Sequence, residues 1–335
     1  MAGLATTNLT IADWAKRIGP DGNIPRVIEL LAQNNGMLDD MVWKMGNLPT
    51  GHRTVIRTGL TQVYWRLLNQ GTQPSKSTTA QIDEACGMLE AWSEVDVKLA
   101  SLEDNVSEFR LSESMAFLEA MSQELAQTCI YGNSSINPEE FNGLAIRYSA
   151  LTSAGNSQNV LGAGGSGSDQ TSIYLVGWGD QTVHGIFPKG SQAGLVQEDM
   201  GSQTSENVNG VSGSRMQVYR EHFTWDAGIC VKDWRYVVRI CNIDTGALVS
   251  NTSPAALTQY MIKALHRIPN LNACRPVFYM NRTAFEYLDL QRRADVLSGG
   301  QLTYQVVDGK ALYMFRGIPV KIMDAILNTE SEVTA

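Results

Sequence analysis

The sequence predicts a mixed α+β fold, on three observations. Residues 108–133 carry Met115, Leu118, Met121, Leu125 and Cys129 at steps of three or four, the period of one helical face, while Glu108, Arg110, Glu113, Glu119 and Glu124 take much of the rest. Residues 217–225 and 228–241 are rich in β-branched and aromatic side chains, which suit strands. Residues 302–307 and 311–315 flank Asp308-Gly309, a dipeptide that suits a type I′ hairpin turn.

The long helix organises the rest. Ser107 offers an N-cap oxygen, and Gly132 after Tyr131 supplies a residue able to close the helix in the left-handed conformation. Roughly 24 residues at about 1.5 Å each make a rod of about 36 Å, long for a globular helix. Upstream, residues 1–48 hold short helical pieces, notably 25–33, separated by Gly19-Pro20 and Asn34-Asn35-Gly36, and read as an extended arm. Residues 54–68 are β-like, residues 71–81 form a polar tip, and the return limb alternates Val95, Val97 and Leu99 with Glu94, Asp96 and Lys98. A two-stranded excursion this long has little core of its own and needs a support, such as a neighbouring subunit.

Downstream, residues 138–151 read as a shorter helix and residues 153–169 as a Gly/Ser/Asn loop. Residues 173–178 form a strand and residues 188–213 a second loop-rich stretch. Residues 242–246 are turn-like. Residues 254–268 and 283–297 are helical, residues 277–280 a buried strand, and residues 319–323 the last strand.

With 335 residues, 43% hydrophobic and 18% charged, the chain has the composition of a folded protein. A formal charge of −8 argues against a broad surface that grips nucleic-acid phosphates, which requires clustered Lys and Arg. No run reaches the roughly 18 apolar residues of a membrane helix, and the first residues lack the pattern of a secretory signal. Five cysteines, scattered and without a Cys-x-x-Cys pair, read as reduced thiols.

The chemical motifs are discounted one by one. Gly162, Gly164 and Gly167 match G-x-G-x-x-G, but a polar loop precedes them and a strand follows, the reverse of the dinucleotide arrangement. His52, His184, His222 and His266 lie on different elements with no metal-ligand spacing. No G-x-S-x-G elbow is present, and Glu139-Glu140 sits after Pro138, where a helix dipole favours acids. No catalytic, cofactor-binding or metal residue is therefore assigned. Tyr64-Trp65-Arg66 and Trp234-Arg235-Tyr236 interleave aromatic and basic residues; packing and subunit contact account for this better than base stacking. Asp233, Arg235 and Arg239 share strand parity, and Trp65, Arg66, Asn69, Arg235 and Arg239 are the candidate subunit-interface residues.

Several strings, in this order, resemble the major capsid proteins of tailed bacteriophages with the Hong Kong 97-type fold, and are most like the epsilon-fifteen-like coats of short-tailed phages. They are WRLLNQG at 65–71, IYGN at 130–133, FNGLAIRY at 141–148, HGIFPKGSQAGL at 184–195, DWRYVVRICNID at 233–244, RPVFYMNR at 275–282 and FRGIPVKIMDAILNTE at 315–330. The resemblance implies an N-terminal arm (1–48), an extended loop (49–102) and the spine helix of a peripheral domain (103–137). A mixed region (138–215) and the C-terminal part (247–335) would belong to an axial domain, with residues 216–246 as peripheral strands. That last placement departs from the family's usual order, in which peripheral strands come late, so either the strands are misassigned or the connectivity is rearranged. No string matches the lysine–asparagine crosslinking chemistry of the founding member.

The implied function is a non-enzymatic coat subunit that self-assembles, as hexamers and pentamers, into an icosahedral head shell around double-stranded phage DNA bound without sequence specificity. Portal, scaffold and decoration proteins are implied partners, no membrane or cofactor is involved, and assembly is expected in the host bacterial cytoplasm before residence in the virion. The rival reading is a cytoplasmic α+β enzyme with a site built by loops 153–171 and 188–213. A carbohydrate-binding virion accessory would show β-sandwich spacing throughout, against which the long helix stands.

Overall fold

The computed structural model describes residues 31–102, 106–152, 155–208, 211–250, 255–294, 302–307 and 310–334. The expectations for the first thirty residues, for the type I′ turn at Asp308-Gly309 and for the C-terminal end of the 283–297 helix lie outside them. In chain order the elements are α1 (Met37–Asp40), β1 (Trp43–Met45), β2 (Gly51–Gly59), β3 (Thr78–Ala85), β4 (Gly87–Asp96), α2 (Val97–Ala100) and α3 (Val106–Tyr131). Then follow α4 (Leu144–Arg147), β5 (Val160–Gly162), β6 (Gln170–Trp178), β7 (Val183–Phe187), β8 (Val196–Glu206), β9 (Arg215–Val231) and β10 (Val237–Asp244). The last are α5 (Thr245–Ser250), α6 (Leu257–Leu265), β11 (Arg275–Met280), α7 (Arg282–Ala294), β12 (Leu302–Val307), β13 (Lys310–Phe315) and β14 (Ile318–Ile322).

β6 is the centre of the molecule. Its nine residues are all buried, which a strand manages only when both faces are covered, and its Ile, Tyr, Leu, Val and Trp side chains suit that position. β10 and β11 pair antiparallel to it on either side, through Val237↔Val176 and Val277↔Val176. β14 then pairs parallel to β11, and the β12–β13 hairpin extends the same sheet. Helix α6 buries Leu257, Met261, Ala264 and Leu265, and α7 buries Ala284 and Leu288, in the core cluster that β6, β10 and β11 share.

The long helix α3 has 26 residues, close to expectation, and packs against β4 and β9. Its burial is uneven. Met121, Leu125, Ala126, Cys129 and Ile130 are buried in the second half, whereas Leu111 and Met115 are 60% and 48% exposed, so the apolar stripe predicted from Met115 onward reaches the core only from Met121. The first half rests instead on a small separate cluster of Val95, Leu99, Ala100 and Phe109. Ser107 falls inside the first turn. Gly132 closes the helix without a positive φ; glycine is needed there because a Cβ would meet the carbonyl oxygens of Phe141 at 2.4 Å and Thr128 at 2.6 Å.

Four further expectations are corrected. Residues 217–225 and 228–241 are not two strands but one 17-residue strand, β9, followed by a 3-10 turn at Trp234–Tyr236 and by β10. The first part of β9 pairs with β4 and β8 and the last part with β7, the change falling at Gly228, where a Cβ would meet the carbonyl oxygen of Ala85 at 2.7 Å. The segment assigned to peripheral strands is thus divided: early β9 lies with the spine helix, and β10 lies in the central sheet beside β6. Residues 196–206, read as loop, form the exposed strand β8 on the edge of β9, and residues 138–151 hold one helical turn rather than a full helix.

The ribbon is also shorter than expected. β2 pairs with β3 from Gly51↔Ala85 to Gly59↔Thr78, whereas β4 leaves the ribbon to pair with β9, and Val97 and Leu99 lie in the turn α2. Residues 60–77 join β2 to β3 with no regular strand.

Candidate assembly surfaces

The ribbon stands on polar fastenings. At its root Arg147 donates to both carboxylate oxygens of Glu84 at 2.6 Å, and this pair is largely buried. Farther out, Arg53 donates to both oxygens of Asp83 at 2.6 and 2.7 Å; that hydrogen bonding holds the Asp83 carboxyl below its usual range. Beyond these, residues 60–76 are all exposed. Leu60 (83%), Val63 (90%), Trp65 (105%), Leu67 and Leu68 (93%) present apolar side chains to solvent along one stretch. Asn69 takes a left-handed φ of 63°, which asparagine tolerates, in a turn where the Gln70 N–H donates to the Leu67 carbonyl. Trp65, Arg66 and Asn69 therefore share one exposed segment. Exposed apolar side chains gathered on one segment in this way are characteristic of interaction surfaces.

A second fastening joins the spine helix to early β9 and β8. Arg110 pairs with Glu221 and with Asp199, each at 2.7 Å, and Ser114 on the next turn donates to Glu221. Arg220 on β9 likewise pairs with Glu94 on β4. These contacts leave Leu111 and Met115 as a short exposed apolar strip on the outer helix face.

The two arginines expected to share a strand face are separated. Arg235 lies in the 3-10 turn, half exposed, and pairs with Asp233 at 2.7 Å. Burial opposes ionisation of Asp233, but the Arg235 guanidinium and backbone N–H outweigh it and hold the carboxyl below its usual range. Arg239 lies in β10 at 5% exposure. Its guanidinium pairs with Glu330 at 2.8 Å, donates to the Tyr148 carbonyl at 2.9 Å and sits over the Tyr174 ring. Burial disfavours its charge, yet Tyr174 and Glu330 raise its pKa. Tyr131 at the end of the spine helix donates to the other Glu330 oxygen at 2.5 Å. Arg239 thus ties the C-terminal segment to the core from within. Strand parity does not carry from Asp233 to Arg239, because a 3-10 turn at Trp234–Tyr236 intervenes and the strand begins only at Val237.

The chain closes on itself through a similar device. Asn242, at φ 57° in a bulge of β10, accepts from the Val333 N–H and donates to the Val333 carbonyl, both at 2.8 Å. Tyr279 receives a hydrogen bond from Trp178 and donates to Asp40, each at 2.7 Å, and Lys321 pairs with the same carboxylate at 2.7 Å. Parts of both loops of the rival enzyme reading are regular strand: residues 196–206 form β8, and residues 160–162 pair with β10.

The sequence matches the family described as major capsid protein GP7 over residues 19–334. The chain belongs to that family. The bacteriophage Epsilon15 structure aligns with the whole of this coat protein and over its own whole length, at 34% identity and a TM-score of 0.77. The bacteriophage JBD30 capsid aligns with 89% of the coat protein and 92% of its own chain at 9% identity, TM-score 0.45. The SrpI encapsulin of Synechococcus elongatus PCC 7942 aligns with 70% and 97% at 11% identity, TM-score 0.44. No curated protein matches the sequence. The coat protein has the Hong Kong 97-type α+β fold, as its resemblance implied, and is a structural subunit rather than an enzyme. Among the described residues, no helix is long and apolar enough to cross a membrane.

Proposed function

We propose that this coat protein assembles, as hexamers and pentamers, into an icosahedral head shell around double-stranded DNA, and that residues 60–77 lie across a neighbouring subunit. The observation that carries the proposal is the exposed run from Leu60 to Leu68: it has no core of its own and is held out by a ribbon fastened at its root. Trp65, Arg66 and Asn69 make intersubunit contacts from that loop, and Arg235 from the turn before β10. Arg239 acts inside the subunit. The arm (1–48) and extended loop (49–102) supply reach. The spine helix (103–137), with β4, β8 and early β9, makes a peripheral part, and the central sheet with α6 and α7 an axial one.

DNA is enclosed without sequence specificity. A net charge of −8 supports this, because a shell that clamped phosphates over its inner surface would resist filling and release. Assembly takes place in the host bacterial cytoplasm, with portal, scaffold and decoration proteins as partners. Negative-stain imaging of the purified recombinant protein tests the proposal. Closed shells or sixfold and fivefold rings are expected; a uniform small oligomer that never forms either would overturn it.

A further inference from the structure

We propose that His52, His184 and Cys230 form a binding site for a divalent transition-metal ion of the Zn2+ class, placed where the root of the extended loop meets the body of the subunit. The three side chains each offer one ligand atom, all within 4.8 Å of one another. They come from three strands. His184 on β7 and Cys230 on β9 are directly opposed in the antiparallel ladder, which places their side chains on the same face as neighbours. His52, the second residue of β2, approaches from the ribbon, its ring 6.0 Å from that of His184 and edge-on to it.

Unpaired polar atoms point the same way. His184 is fully buried, yet neither of its ring nitrogens has a hydrogen-bond partner, and Nδ1 of His52 is likewise buried and unpartnered. Buried imidazoles ordinarily donate one N–H to a carbonyl or carboxylate. Cys230 is fully buried, with Thr54 Oγ1 3.8 Å from its sulfur. Two imidazoles and a thiolate match the nitrogen and sulfur preference of Zn2+, whose bonds of about 2.0–2.3 Å set tetrahedral ligand atoms roughly 3.4–3.8 Å apart. Small side-chain rotations close the remaining distance. Cys230 releases its proton to solvent as the sulfur–metal bond forms, and water on the half-buried His52 side fills the fourth position.

The surrounding charges permit the ion. Lys44 and Lys232 lie nearby, but both pair with Asp180, and the Glu84 carboxylate acts electrostatically on both His52 and Cys230. An ion here ties β2 to β7 and β9 and so fixes the angle at which the extended loop leaves the subunit. No spacing along the chain reveals it, because each ligand belongs to a different strand.

The test uses the full chain, stripped with a chelator and supplied with Zn2+ or Co2+ alone. Zn2+ is expected to be retained through gel filtration at one ion per chain and to raise the melting temperature. Co2+ should give a sulfur-to-cobalt charge-transfer band, absent in Cys230→Ser, and His184→Gln should weaken binding at least tenfold. Absence of retained metal, absence of the thiolate band in the wild type, or unchanged binding by Cys230→Ser would overturn the site. If the variants fail to fold, X-ray absorption on the Zn2+-loaded wild type decides: a shell of one sulfur and two imidazoles supports it, and an all-oxygen shell refutes it.

Discussion

Arg147 grips Glu84 with two parallel hydrogen bonds of 2.6 Å, and this one pair joins the root of the extended ribbon to the turn that follows the spine helix. Arg147 also donates to the Asn142 carbonyl at 3.1 Å, so the guanidinium is held on several sides. Removing one partner strands a buried charge. Glu84→Ala or Arg147→Ala should each lower unfolding stability by about 3–5 kcal/mol, and the double change Arg147→Met with Glu84→Leu should recover much of it. Denaturant titration of the four proteins checks this; equal losses in the single and double variants would contradict it.

The two arginines of the DWRYVVRICNID string should behave oppositely. Arg239→Ala breaks the buried pair with Glu330 and should cost about 3–5 kcal/mol. Arg235→Ala breaks an exposed pair and should cost about 0–1 kcal/mol. Thermal melts of both variants test the contrast.

Arg235 also sets a pH dependence. Asp233 is held below its ordinary value of 3.8 in the folded chain, so the unfolded chain takes up that proton first as pH falls. Its contribution is complete above about pH 3.8 and is lost as pH drops through the folded value. Arg235→Ala should therefore differ from wild type at neutral pH and converge with it in strong acid. A constant difference in melting temperature across that window would rule the linkage out.

Gly132→Ala should destabilise by about 1–3 kcal/mol through overpacking, because the new methyl would meet two carbonyl oxygens at 2.4 and 2.6 Å. Ala favours a helix interior elsewhere, so a neutral or stabilising result in a denaturant titration would show that the end of the spine helix yields.

The spine helix divides at Met121. Leu125→Ala removes a fully packed side chain and should cost about 2–5 kcal/mol. Met115→Ser, on the exposed strip, should leave the unfolding stability within about 0.5 kcal/mol of wild type. Comparable losses would mean that the first half of the helix is buried in the subunit after all.

Much of this architecture was legible from pattern alone. The spine helix, the buried strand at 277–280 and the C-terminal hairpin follow from periodicity and apolar runs, and the structure places them within a few residues of expectation. β8 leaves no signal in the sequence, because an exposed edge strand of mostly Glu, Asp, Gly, Ser, Gln and Thr carries no apolar alternation; β9 makes it a strand by offering an open edge. The partner of β4 is not legible either, because alternation shows that a segment is extended and not which strand it joins. Of the candidate interface residues, Trp65, Arg66 and Asn69 fall together on the exposed loop, which local composition could suggest. Arg239 could not be placed, since its partner Glu330 is 91 residues away.

The central claim is that the apolar loop is an assembly surface and not part of the subunit's own fold. Sedimentation velocity of the variant Val63→Ser/Trp65→Ser/Leu68→Ser, beside wild type and with melting temperature as a control, tests it most directly. The prediction is an unchanged melting temperature for the dissociated subunit together with loss of the shell-sized boundary. Shells formed by the variant in normal yield, or a subunit that no longer folds, would contradict it.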